Sequence, residues 1–439
     1  MPDLKGKGPG GLNLASASEA SALLAAGKAT SVGLVEACLA RIAARDPAVR
    51  AWAHLDHEAV LAQARARDAE PRRGPLHGIP VGIKDIFDTY DMPTAYGSQI
   101  HQGFQPHADT AVVGLLRMAG AVILGKCVTT EFASPVPRET RNPHDPERSP
   151  GVSSSGSAAA VADYQVPLSL GSQTGGSTIL PASFCGVVGY KASLTGIDRG
   201  GIRHLRPTLD TMGLFARTLD DIALLRAALV GHEAPAAARR IEAPPRVGVC
   251  RSINWSQAEP GMKTAFEDAA ARLERAGAVL VDAEMSDVFA GIETSFRVIS
   301  TVEGTRALGE EIARHLASLN HYIRSAHEQA KVNDQAAYDK AQQHALACRR
   351  SLAETFGRCD VLITPSAAGE AVADLTSVSN SAFNRIWTLM HTPAVSLPVA
   401  NGPNGMPLGL QVVGPAGADD RTIATAQWIA DRLTAGRAG

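Results

Sequence analysis

Residues 149–177 read SPGVSSSGSAAAVADYQVPLSLGSQTGGS. The first nine, 149–157, hold five serines, two glycines and a proline. An alanine-rich helix up to Asp163 follows, then a short strand over 166–170 and a second glycine turn, Thr174-Gly175-Gly176-Ser177. Read alone, the serine run is a flexible loop and the Gly-Gly-Ser turn a common one. Together they describe a strand that empties into a turn. Glycines at 175 and 176 free its backbone to point successive N–H groups into one concavity. Such a nest stabilises an oxyanion, and Ser177 at its end stands where a nucleophile attacks.

A serine nucleophile needs a base. The chain has 13 histidines but no G-x-S-x-G, so none stands in a nucleophile-elbow context. The other route is a lysine held neutral by burial. Residues 78–85, GIPVGIKD, read as a strand that runs into Lys84, flanked by Gly82, Ile83 and Ile86. A lysine at that point is desolvated. The competing reading is an edge lysine whose stem lies on apolar surface while its ammonium reaches water.

Outward from these segments, strands alternate with helices. Leu23, Leu24, Val35, Cys38, Leu39 and Ile42 recur at helical spacing within a helical region over residues 16–69. Short strands are expected at 121–124, 246–250, 279–281, 361–364, 394–399 and 409–413, with a helix over 261–276 and mostly charged helix over 292–356. Residues 1–12 read as a loose arm, and residues 233–246 as a Pro/Ala/Arg connection. The pattern is that of a layered α/β fold. A net charge of -2 on 439 residues leaves no electrostatic footprint for nucleic acid. No apolar run approaches the ~18 residues of a spanning helix, and the first twenty residues lack the apolar stretch of a secretory signal. The six cysteines form no C-x-x-C pair. They read as reduced thiols of a cytoplasmic protein, without disulfides or a zinc site. The His54/His57 pair is a surface feature, and no metal is expected.

Lys84 with its strand, the serine loop and the Thr-Gly-Gly-Ser turn resemble the amidase signature family. Residues 181–189 (PASFCGVVG), 209–213 (LDTMG), 216–218 (ART), 360–365 (DVLITP), 392–398 (TPAVSLP) and 405–411 (GMPLGLQ) extend the resemblance over roughly 14–433. It implies one α/β/α domain over 13–439 around a mixed, mostly parallel twisted sheet, with the 233–246 connection inside it. It also implies a Ser–cis-Ser–Lys triad. Ser177 is the nucleophile, Ser153, 24 residues earlier, the cis-serine relay, and Lys84 the neutral base. The backbone N–H groups of Thr174, Gly175, Gly176 and Ser177 would form the oxyanion hole. No cofactor is required, and the protein would be a monomer or homodimer acting on small molecules.

The sequence departs from the family's pattern in places. Val152 and Ser155 replace glycines of the serine loop. Gln173 stands where many members have aspartate, whereas malonamidase-like members also carry glutamine. Many relatives carry an arginine two or three residues after the nucleophile, which in malonamidase-like enzymes grips a substrate carboxylate; here Ile179 and Leu180 stand there. A carboxylate without its cation binds poorly. The expected substrate is therefore a neutral amide, with carbamates (urethanes) or esters open to the same attack. Phe132, Gln173, Leu180, Trp387 and Met390 are the expected substrate-binding residues, although each also fits a core role. Two other readings remain: the amide-forming component of a tRNA-dependent amidotransferase, and an inactive binding protein on the same fold.

Overall fold

A computed structural model describes residues 11–231, 240–377 and 380–434. Most of the expected N-terminal arm and half of the expected connection lie outside the described residues. Eleven strands form one sheet: β1 (Trp52–His54), β2 (Pro80–Lys84), β3 (Val122–Cys127), β4 (Leu168–Gln173), β5 (Val188–Lys191), β6 (Thr211–Ala216), β7 (Arg246–Val249), β8 (Val279–Asp282), β9 (Val361–Pro365), β10 (Ala394–Asn401) and β11 (Pro407–Val413). Their order across the sheet is β1-β3-β2-β4-β6-β5-β10-β11-β9-β7-β8. The sheet is mixed, as expected. Its parallel pairs are confined to β3-β2-β4 and β9-β7-β8. The other six neighbouring pairs are antiparallel, so the emphasis on parallel pairing does not hold.

Helices cover both faces. β2, β3, β6 and β11 are buried at every position, so they show no alternation of apolar and polar residues. The helix Ser155–Ala162 is buried along its whole length, and its alanines pack with Val122, Leu124 and Phe215 of the sheet. Val81, Ile83, Leu168 and Leu170 point to the opposite core. The region read as helical over 16–69 consists of the helices Ala17–Ala25, Ser31–Val49 and His57–Ala69. The first starts at a capping box between Ser16 and Glu19. The second ends where Arg50 turns left-handed at φ 56°, leaving room for the three-residue β1 before the third. No helix among the described residues is long and apolar enough to cross a membrane.

The register positions the site. β2 and β4 run parallel, with Ile83 opposite Leu170, so Lys84 and Ser172 leave the sheet at the same carboxyl end. In open α/β sheets ligands gather outside such strand ends. β6 runs antiparallel to β4 with Thr211 opposite Gln173, which brings Asp210 beside Thr174.

Candidate active site

Lys84 ends β2 and is fully buried. Its Nζ lies 2.8 Å from Ser153 Oγ and 2.9 Å from Ser172 Oγ. No carboxylate among the described residues forms an ion pair with it. Burial pushes its ammonium down to about 7, with the charge of Asp210 pulling weakly the other way. Ser153 is fully buried and follows a cis Val152–Ser153 peptide bond, immediately before the helix Ser155–Ala162. Gly151 ahead of it has φ +88°, and a Cβ there would sit 2.7 Å from Pro181 Cα. Ser154 Oγ accepts from the Ser172 N–H at 3.3 Å and so fastens the serine loop to β4.

Beyond β4 the chain makes its glycine turn. Ser177 is half-buried and borders a cleft of about 440 Å³ together with Val152, Thr174, Gly175, Gly176 and Leu180. The N–H groups of Gly175, Gly176 and Ser177 find no protein acceptor among the described residues. Glycine is required at 176 by a close approach, not by an unusual φ. A Cβ there would lie 2.6 Å from Ser381 Cβ and 2.7 Å from Asn384 Oδ1. Thr174 Oγ1 donates to Asp210 Oδ1 at 2.5 Å, while Asp210 Oδ2 accepts from the N–H groups of Leu205 and Arg206 at 2.9 and 2.8 Å.

Residues 33–423 match the family model described as Amidase. The chain belongs to the amidase family. The glutamyl-tRNA(Gln) amidotransferase A subunit of Acidothermus cellulolyticus is 34% identical, over 92% of this chain and 92% of its own. A solved amidase structure superposes with a TM-score of 0.88 at 29% identity, covering 95% of this chain and all of that one. The native peptide amidase from Stenotrophomonas maltophilia does so with a TM-score of 0.80 at 30% identity, covering 96% of this chain and 97% of its own.

The expected substrate-binding residues of this amidase do not sit together. Leu180 borders the cleft beside Ser177. Gln173 does not face it, because its amide is used inside the protein. Gln173 Oε1 accepts from the N–H groups of Thr178 and Ile179, both at 3.0 Å, and Nε2 donates to Thr388 Oγ1 at 3.1 Å. It caps the helix Ile179–Cys185 and pins the turn that carries Ser177. Trp387 and Met390 belong to the core cluster that holds Ile179, Ile386 and Leu389, and neither lines the cleft. Phe132 borders a separate small cavity with Tyr96, Ser172, Thr174 and Arg203. Its ring meets His101 edge-on at 5.8 Å.

Sequence reasoning missed Ser172, Asp210 and most of the far wall of the cleft. That wall carries Arg206, Arg297, Arg385 and Glu293, so the arginine-free run after Ser177 does not make the cleft neutral. Ser172 stood one residue before Gln173 in the quoted stretch, and only the β2–β4 register pairs it with Lys84. The helix Ile292–Ala307 was read only as the start of a mostly helical, charged stretch over 292–356. Its cleft side, Glu293, Phe296, Arg297, Ser300 and Thr301, does show the three-and-four spacing that marks one helix face.

Proposed function

We propose that this amidohydrolase cleaves C–N bonds of small amides through an acyl-enzyme on Ser177, with Ser153 as proton relay and Lys84 as base. Ser177 Oγ attacks the carbonyl carbon and gives its proton to Ser153, whose own proton passes to the Lys84 amine. The backbone N–H groups of Thr174, Gly175, Gly176 and Ser177 hold the oxyanion. As the tetrahedral species collapses, the proton returns through Ser153 to the leaving nitrogen. Water then enters by the same relay, and the acid leaves. The observation that carries this reading is a fully buried lysine amine 2.8 Å from a serine hydroxyl, with no ion-pair partner among the described residues. Ser172 takes the second position on that amine and holds it toward Ser153. Residues 13–439 act as one domain around the sheet. Carbamates and esters present the same carbonyl to Ser177 and fall within this chemistry.

The relatives compared favour a second reading, since they include glutamyl-tRNA(Gln) amidotransferase A subunits. In it the same site would work within a tRNA-dependent complex. A hydrolysis screen on purified protein, with amide, ester and carbamate of one acyl size, separates the two. Turnover by the isolated chain supports the first, while activity only with a co-purifying tRNA-binding partner supports the second. Ser177→Ala should lower the rate roughly 10⁴-fold or more and abolish labelling by a fluorophosphonate. Turnover within tenfold of the parent would remove Ser177 from the mechanism.

A further inference from the structure

Arg206 borders the cleft that holds Ser177 and is only 7% exposed. A buried guanidinium is ordinarily paired with an acid. This one has no ion-pair partner among the described residues. Within them its side chain makes a single hydrogen bond, from Nε to the neutral Ser300 Oγ at 2.8 Å. The arrangement is built rather than incidental. Asp210 Oδ2 fixes the Arg206 backbone, and Gly304 leaves space for the group, since a Cβ there would stand 3.2 Å from Nη2. Both Nη atoms therefore remain available as a planar pair of donors, which suits a carboxylate.

The rest of the wall agrees in sign. Glu293 is engaged by Arg385 at 3.0 Å, so those two charges cancel. Arg297 is exposed, and the one hydrogen bond of its side chain among the described residues is a 3.5 Å contact to Thr294 Oγ1. The cleft is left with two guanidinium groups that no carboxylate among the described residues offsets. We propose that the cleft selects amides bearing a carboxylate, which binds the Arg206 guanidinium with Arg297 as a second cation, while the amide carbonyl is presented to Ser177. This rests on the hydrolase reading above and replaces the neutral substrate expected from residues 178–181.

The ω-monoamides of malonic, succinic and glutaric acids, each beside its methyl ester, test the idea. The best free acid should exceed its ester by roughly tenfold or more in kcat/KM. Arg206→Gln should reduce that ratio roughly ten- to a hundredfold, mainly through KM, and Arg297→Gln should reduce it less. Independently of turnover, the matching dicarboxylate should raise the melting temperature of the parent at constant ionic strength, and should not raise that of Arg206→Gln. If Arg206→Gln does not fold, Arg206→Lys replaces it and should keep a weakened protection. A parent that prefers the esters overturns the proposal. So does dicarboxylate protection that is absent in the parent or undiminished in the Arg206 variant. If no amide is hydrolysed while the dicarboxylate still protects through Arg206, the hydrolase reading fails and the anion site stands.

Discussion

Lys84 and Lys191 are two buried lysines with one electrostatic fate and different surroundings. Each is fully buried, and burial pushes each down to about 7 from the ordinary 10.5. Lys84 faces two serine hydroxyls at the carboxyl ends of parallel strands, next to the cleft. Lys191 ends β5 and donates to the backbone carbonyls of Ala192 and Thr392. It borders none of the cavities that hold the candidate site residues. Lys126 supplies the contrast. It lies 3.3 Å from Asp85, whose charge opposes the downward push of burial. Burial still wins there, and the Lys126 ammonium is also pushed down. A depressed lysine pKa therefore marks desolvation, and it marks a base only where a proton donor and a substrate cleft adjoin it.

The largest test of this contrast is Lys84→Met, expected to lower kcat/KM roughly 10³-fold or more. Lys84→Arg should not restore it, because a guanidinium stays protonated. The parent rate should climb as pH rises through about 7, where the Lys84 amine loses its proton. A Lys84→Met enzyme within tenfold of the parent would end the distinction.

A smaller effect is expected one layer out. Gln173→Ala frees the N–H groups of Thr178 and Ile179 that hold the nucleophile turn. Loss of buried hydrogen bonds costs ~1–3 kcal/mol, to be read by denaturant unfolding, with a roughly tenfold fall in kcat. Parental values for both would show that the turn holds itself.

Lys191→Met should change kcat least, by less than roughly threefold, and should act on stability instead. Both lysines have folded values below their unfolded ones. Between about 7 and 10.5 the unfolded chain therefore carries protons that the folded chain lacks, and stability rises with pH across that window. The variant has lost one of these groups. Its melting temperature minus that of the parent should thus fall as pH is raised from 7 to 10, whatever the offset at neutrality. A difference independent of pH would mean that Lys191 remains charged in the fold.

The parts of the site legible in the sequence are those made by short segments. The lysine at the end of an apolar strand and the serine after two glycines are local patterns, and a few consecutive residues state them. The strands β5 and β6 were not legible. Residues 188–191 (VGYK) and 211–216 (TMGLFA) are buried on both sides and contain glycine, so they lack the alternation that announces a strand. Trp387 and Met390 were expected to bind substrate, with a core role open to each; packing turns both into the core with Ile179. Gln173 has the chemistry of a substrate contact, but its amide meets the start of the next helix first.

By itself, the sequence determined the α/β class, the lysine strand, the serine loop and the Gly-Gly-Ser turn, because backbone freedom and hydrophobic run length are properties of neighbouring residues. Only the tertiary structure decided the rest. The parallel register of β2 and β4 brings Ser172 to Lys84, 88 residues apart. The helix Ile292–Ala307 lays Ser300 against Arg206, 94 residues away. The physical reason is that burial and ion pairing depend on what lies across a gap. A side chain's own stretch of sequence cannot specify whether the acid that would neutralise an arginine is there.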